Sequence, residues 1–338
     1  MRVHSPSWTF LHINDNHMGT PRSYRFCPAI NHHWSVIKRQ MSAIEADFLL
    51  HGGDLTRDGD THEYEYQMVK DDLETLPFPT FVIPGNMDVG NKHTHRNGPY
   101  LDRDDVSLNM SSDRLRLFAS YFGPLAWTFL HKRVRFTGFF AAVAGSGLRE
   151  EERFWYFMER LGKLSPARHH VAIMHYWLFM DDLDEPTWDI TKEKEYLSWY
   201  FSIDPPHRHR IFDLLKAAKV EIVFCGHIHT GRPVQVVDGI RFYKTSAAGN
   251  FAQLADRWPD AELRQGFHRC DVTDDGIEVT FVPCEDIRED FDRYGPTGHP
   301  KIEARDYSIA RERPPLAPDP WLIGASAHEI DASTRADS

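Results

Sequence analysis

Five short apolar runs in this chain each break off at a cluster of acidic, amide or imidazole side chains. Trp8-Thr9-Phe10-Leu11-His12-Ile13 leads into Asp15-Asn16-His17, Phe48-Leu49-Leu50 into Gly52-Gly53-Asp54, and Thr80-Phe81-Val82-Ile83 into Gly85-Asn86-Met87-Asp88. Val171-Ala172-Ile173-Met174 leads into His175, and Glu221-Ile222-Val223-Phe224 into Gly226-His227-Ile228-His229. Short apolar runs bounded by glycine and proline are strand signals. Strands that deliver functional side chains from their carboxyl ends are how open α/β sheets build sites. Taken singly, Asp15 could cap a helix, Asp54 could sit in a turn, and His175 could be a core histidine. Together, in order and at five strand ends, they read as one site.

The residue types suit metal-assisted cleavage of a phosphoester. That reaction needs a nucleophile at neutral pH, neutralised phosphoryl oxygens and a stabilised leaving oxygen. Two metal ions about 3.5–4 Å apart supply all three, with a metal-bound hydroxide attacking in line. Such a centre takes carboxylate oxygens and imidazoles and needs no thiolate.

The motif series Asp15-x-His17, Gly53-Asp54, Gly85-Asn86-x-Asp88, His175 and Gly226-His227-x-His229 resembles that of the calcineurin-like metallophosphoesterase superfamily. The resemblance runs over roughly residues 8–285. It implies a four-layer αββα sandwich, an α/β fold of two mixed β-sheets flanked by helices. It implies one metal held by Asp15, His17, Asp54 and His229, and a second held by Asp54, Asn86, His175 and His227, with Asp54 bridging. The ions would be divalent or trivalent, from manganese, iron or zinc. Asp54, Asn86, Asp88 and His175 are the expected catalytic residues. Gly85-Asn86-Met87-Asp88-Val89-Gly90-Asn91 and Lys244-Thr245-Ser246-Ala247-Ala248-Gly249 are similar to a narrower group, the calcineurin-like phosphoesterase domain-containing and cyclic-nucleotide phosphodiesterase-like members.

Met87 departs from the superfamily pattern, which has a histidine there that protonates the leaving oxygen or steadies the phosphoryl charge. General-acid help is worth about 10²–10⁴ in rate, and a thioether has no proton to give. A small phosphodiester, such as a nucleotide, is therefore the expected substrate. The alternative is a phosphomonoesterase or protein phosphatase in which His51, His93 or His95 substitutes. A third reading is a non-catalytic binding scaffold. Asp88, without its usual partner, is free to orient a metal ligand. Arg22, Arg25, Asn86, His93 and Tyr176 are the expected substrate contacts. The stretch 176–206 reads as a lid-like insertion, rich in aromatics and in Asp181, Asp182, Asp184 and Glu185.

Around these motifs the pattern alternates. Ile30, Trp34, Ile37, Met41 and Ile44 form one face of a helix. Helices are expected over 61–76, 111–122, 150–161 and 207–219, strands over 127–130 and 134–143, and hairpins around Asp238-Gly239 and Asp275-Gly276. The catalytic domain spans residues 1–290. Residues 291–338 are polar and proline-punctuated, an extended or disordered tail, with Trp321-Leu322-Ile323 as a conceivable anchor on another subunit. The chain of 338 residues carries a net charge of −11 and no long apolar segment, which argues against extended nucleic acid and membranes as partners. Cys27, Cys225, Cys270 and Cys284 show no metal or disulfide spacing, and a cytoplasmic protein is expected. Homo-oligomers through the tail or the 176–206 insertion are compatible with the sequence.

Overall fold

The computed structural model describes residues 8–20, 26–94, 108–288 and 329–331. In chain order they form β1 (Trp8–Ile13), α1 (Pro28–Ser42), β2 (Leu49–His51), α2 (Tyr64–Leu73), β3 (Thr80–Val82), α3 (Asn86–Val89) and α4 (Ser112–Phe122). There follow β4 (Ala126–His131), β5 (Val134–Phe139), α5 (Arg149–Leu161), β6 (His169–Met174), α6 (Glu193–Phe201) and α7 (His207–Ala217). The last are β7 (Ile222–Cys225), β8 (Gln235–Val237), β9 (Ile240–Lys244), β10 (Gly266–Val272), β11 (Ile277–Pro283) and β12 (Glu329–Asp331).

Two mixed sheets result. One runs β11-β10-β1-β2-β3 and the other β12-β4-β5-β6-β7-β9-β8. Within them β1, β2 and β3 are mutually parallel, as are β5, β6, β7 and β9. Successive side chains of a strand point to opposite faces, and here both faces are apolar. Phe10 of β1, Leu50 of β2, Val171 and Ile173 of β6, and Ile222 and Phe224 of β7 meet in one core between the sheets. Their neighbours Leu11, Ile13, Leu49, Ala172, Met174, Val223 and Cys225 turn outward into a second core under the helices. α1 covers one sheet with Ile30, Trp34, Ile37 and Met41, the stripe visible in the sequence. Phe48 is the hub of the inner core, with the rings of Phe10, Phe81, Phe129 and Phe136 within 4.9–5.7 Å.

Three details differ from the sequence reading. The strand expected over 134–143 ends at Phe139, and Ala141–Val143 form a 3₁₀ turn that stays buried. An apolar run alone does not separate a strand from a buried turn. The helix expected over 61–76 is confined to Tyr64–Leu73. The 176–206 stretch contains a helix, α6, which the sequence reading did not expect. Of the tail, only Glu329–Asp331 are described, paired parallel with β4 so that Ile330 faces Phe129; Trp321, Leu322 and Ile323 lie outside the described residues. Among the described residues no helix is long and apolar enough to cross a membrane.

Candidate metal centre

The loops after β1, β2 and β7 place chemistry-bearing residues in an uncommon backbone state. Asp15, His17, Asp54, His227 and His229 all have positive φ, between 46° and 75°. Each such non-glycine residue costs on the order of 1 kcal/mol or more and persists only where its surroundings over-determine it. Those surroundings are interlocked loops. Asp15 N donates to Gly53 O (2.9 Å), His17 N to Asp54 O (3.0 Å) and Gly226 N to His175 O (3.0 Å). The Lys244–Gly249 motif braces the first loop from behind, with Ala248 N on Asn14 O (2.8 Å) and Gly249 N on Asp15 O (3.1 Å). Two glycines make the convergence possible. A Cβ on Gly85 would lie 2.1 Å from Asp54 Oδ1, and one on Gly226 would lie 2.5 Å from Asp15 Oδ2.

The loops gather two groups of donors, and Asp54 belongs to both. Asp15, His17, Asp54 and His229 have ligand atoms within 4.8 Å of one another, and so do Asp54, His175 and His227. All are at most 3% exposed. The spacing fits ions. Two ligands each about 2.1 Å from one ion stand about 3.0 Å apart at a right angle and about 3.4 Å apart at the tetrahedral angle. His17 Nε2 is 3.0 Å from His229 Nε2 and 3.5 Å from Asp54 Oδ2, and His229 Nε2 is 3.5 Å from Asp15 Oδ1. In the other group His175 Nε2 is 3.3 Å from Asp54 Oδ2 and 3.2 Å from Asn86 Oδ1. One oxygen, Asp54 Oδ2, thus faces imidazoles of both groups, while Oδ1 accepts from Met87 N at 2.7 Å. Asp15 Oδ1 is buried with no hydrogen-bond partner, and its nearest imidazoles stand at 3.5–3.9 Å. An orphaned carboxylate oxygen and two opposed imidazole nitrogens are what a bound cation resolves.

Electrostatics agree. Burial holds His17 down to about 4, with a smaller push from the Arg57 guanidinium, and lowers His227 far below the usual range. Both are neutral, as ligands must be. Burial also opposes charge on His175, but Asp54 and Asp15 outweigh it and raise its pKa to about 9. The paired carboxylates therefore demand a positive charge between them. The ring nitrogens away from the centre are anchored: His175 Nδ1 bonds Gly52 O and His229 Nδ1 bonds Phe251 O, both at 2.9 Å. His227 Nε2 lies 3.4 Å from Tyr200 O, which leaves Nδ1 to coordinate.

Asp88 does not touch the ligand groups. Its carboxylate accepts from Gly85 N (2.8 Å), Leu55 N (3.2 Å), Thr56 N (2.9 Å) and Thr56 Oγ1 (2.7 Å), which ties the Asp54 loop to the Asn86 loop. Burial and the charge of Asp54 raise its pKa to about 7. His51, one candidate substitute acid, is fully buried with Nε2 on the Asn16 amide (2.9 Å) and Nδ1 accepting from Gly53 N (3.2 Å). It shapes the turn before Asp54. Tyr176 is likewise buried: its ring lies 4.0 Å from that of His227 and its hydroxyl accepts from Lys92 N (3.1 Å). It packs against His227. His93 is half-buried on the loop after α3, and Arg22, Arg25 and His95 lie outside the described residues.

The sequence reading missed Tyr200 of α6, whose hydroxyl accepts from Asn86 Nδ2 at 3.3 Å. It also missed Arg57, a fully buried guanidinium near His17. Only the position of Arg57, three residues after Asp54, could have pointed to it.

A model of the calcineurin-like phosphoesterase family matches residues 9–231. No curated protein matches the chain in sequence. Among solved structures, GAP50, the anchor in the inner membrane complex of Plasmodium, aligns at a TM-score of 0.52 and 12% identity, over 93% of this chain and 99% of that one. Purple acid phosphatase PPD1 of yellow lupin (Lupinus luteus) aligns at a TM-score of 0.56 and 14% identity, over 84% of this chain and 52% of that one. At such identities the likeness concerns the fold.

Proposed function

We infer the function of this chain from its membership of the calcineurin-like phosphoesterase family and from one departure within its site. The coarse activity is metal-dependent hydrolysis of phosphoric esters. The finer reading we propose is a phosphodiesterase for a small substrate, with a nucleotide as the favoured class.

The observation that carries it is Met87. Its backbone N–H donates to the Asp54 carboxylate, and in the motif Gly85-Asn86-Met87-Asp88 it takes the position of the family's histidine. No proton can come from it. His51, the described substitute nearest Asp54 in sequence, is committed to Asn16 and Gly53. A site without a general acid favours diesters, which bring one negative charge, and leaving groups that need little protonation. A pair of ions held by these seven side chains would supply Lewis acidity toward the phosphoryl oxygens and lower the pKa of a bound water. The chain's own part is to fix the donors, keep His17 and His227 neutral and leave Asp54 and Asp15 as fixed negative charge. The net charge of −11 and the acidic 181–185 run favour a small substrate over a long polyanion. Four buried cysteines, none of them in a disulfide, fit a reducing compartment such as the cytoplasm.

The test compares bis-p-nitrophenyl phosphate with p-nitrophenyl phosphate for the purified, manganese-loaded enzyme. A higher kcat/KM on the diester is expected. Faster monoester turnover overturns the diester reading and favours the phosphomonoesterase alternative. No turnover on any ester panel favours the binding scaffold.

A further inference from the structure

The 176–206 stretch reaches the centre, because one residue of α6 touches two of the donors that include Asp54, Asn86, His175 and His227. The Tyr200 hydroxyl lies 3.3 Å from Asn86 Nδ2, and the Tyr200 carbonyl lies 3.4 Å from His227 Nε2. The next ring, Phe201, packs 5.1 Å from that of His227. Asn91 closes a triangle: its Oδ1 accepts from Asn86 Nδ2 at 3.1 Å and from the Tyr200 hydroxyl at 3.2 Å.

This triangle bears on coordination because the two ends of an amide are nearly isosteric and only the oxygen can bind a hard cation. The Tyr200 hydroxyl gives its proton to Asn91 Oδ1, so both oxygens offer lone pairs to Asn86 Nδ2, and a flipped amide would set its oxygen against Asn91 Oδ1 and break the Tyr200–Asn91 bond. The favoured rotamer sends Asn86 Oδ1 to within 3.2 Å of His175 Nε2, into the group shared by Asp54 and His227. The ligands of the other half are braced elsewhere. Asp15 is held by Asn14 and by His227 N (2.8 Å), His17 N by Asp54 O and His229 by Phe251 O. The insertion is fastened to the loop that carries Asn91. Lys92 Nζ donates to Ser202 O (2.9 Å) and Asp204 Oδ2 (3.2 Å) and sits 4.2 Å over the Trp199 ring.

We propose that Tyr200 and Asn91 are positioning residues that orient the Asn86 amide, so that occupancy of the Asp54–Asn86–His175–His227 metal position depends on the docking of α6. The proposal rests on the dinuclear reading above. Residues that orient a ligand typically govern 10–100-fold in metal affinity.

The experiment is calorimetric titration of metal-stripped protein with Mn²⁺ alone. Wild type is expected to bind two ions in resolvable steps. Tyr200→Phe keeps the ring and removes only the hydroxyl, and should weaken one step about tenfold or more while leaving the other within about twofold. Asn91→Leu should do the same. Asn91→Asp retains an acceptor for the Asn86 amide and should hold both steps near wild type. Two unchanged steps in Tyr200→Phe and Asn91→Leu overturn the proposal. So does parallel weakening of both steps, or an Asn91→Asp variant as defective as Asn91→Leu. A wild type that binds fewer than two ions refutes the dinuclear reading itself.

Discussion

Gly85→Ala is the sharpest perturbation of the centre that leaves every ligand in place. The new Cβ would lie 2.1 Å from Asp54 Oδ1 and 2.3 Å from Asp54 N. The carboxylate must therefore retreat by about 1.3 Å, the gap between 2.1 Å and an ordinary 3.4 Å contact. That retreat breaks the 2.7 Å bond from Met87 N to Asp54 Oδ1 and carries Oδ2 away from both imidazole groups. A metal–oxygen bond of about 2.1 Å does not survive such a shift. Misplacement of about 1 Å already costs on the order of 10²-fold in rate, and because Asp54 is shared both ions are affected. The folding cost is that of an overpacked site, about 1–3 kcal/mol. Gly123→Ala is the matched control. Gly123, unlike Gly85 at φ −112°, has a positive φ of 92°, and a Cβ there meets nothing within 4 Å. It should lose similar stability through backbone strain, about 1–3 kcal/mol, and keep its metals. Metal content by mass spectrometry and thermal melts read both variants. Gly85→Ala retaining two tightly bound ions would refute the claim that Gly85 exists to admit the bridging carboxylate.

Three further outcomes are expected. Met87→His should restore a proton donor beside Asp54 and raise the monoester-to-diester ratio of kcat/KM about tenfold or more; an unchanged ratio would remove Met87 from the argument about substrate class. Phe48→Ala deletes the hub of the inner core and should cost about 3–5 kcal/mol by chemical denaturation, with a loss under 1 kcal/mol contradicting the packing assigned to it. Burial lowers the Lys244 pKa to about 7, below its unfolded value, so the unfolded state binds more protons between pH 7 and 10. Stability then rises with pH through that window. Wild type should gain stability relative to Lys244→Met between pH 7 and pH 10, and a constant difference would show that Lys244 is not held in a depressed state.

The convergence of these donors was legible because each follows closely on a strand, and apolar runs bounded by glycine mark strand ends in any sequence. His175 and Asp54 could thus be placed at one edge although 121 positions separate them. The sandwich was legible from the family resemblance and from strand and helix signals that alternate up to the Gly226–His229 loop and turn to hairpins after it; in the structure β6 and β7 are apolar on both faces and covered on both sides. Contacts that depend on an element's orientation were not legible. Tyr196, Trp199 and Tyr200 stand at helical spacing, but they lie in a nine-residue run where five of the last six residues are aromatic or leucine, which blurs any single face, and nothing in the run points to the approach of Tyr200 to Asn86. Tyr176 follows a ligand and looks like a substrate contact, yet its neighbours Trp177 and Leu178 are buried too, and the whole segment turns into the core. His51 stands next to the Asp54 loop in sequence, but it is buried with one nitrogen on Gly53 N in the turn and the other on the Asn16 amide of the loop after β1. In each case the packing of a distant segment decided the outcome, and no local pattern encodes that.

The central claim is a single two-ion centre joined by Asp54. A crystal structure of the manganese-loaded protein, with anomalous scattering recorded at the manganese edge, tests it most directly. The account requires two anomalous peaks about 3.5–4 Å apart, with Asp54 Oδ2 between them, Asp15, His17 and His229 on one and Asn86, His175 and His227 on the other. A single peak, or a second ion held without Asp54, would contradict it.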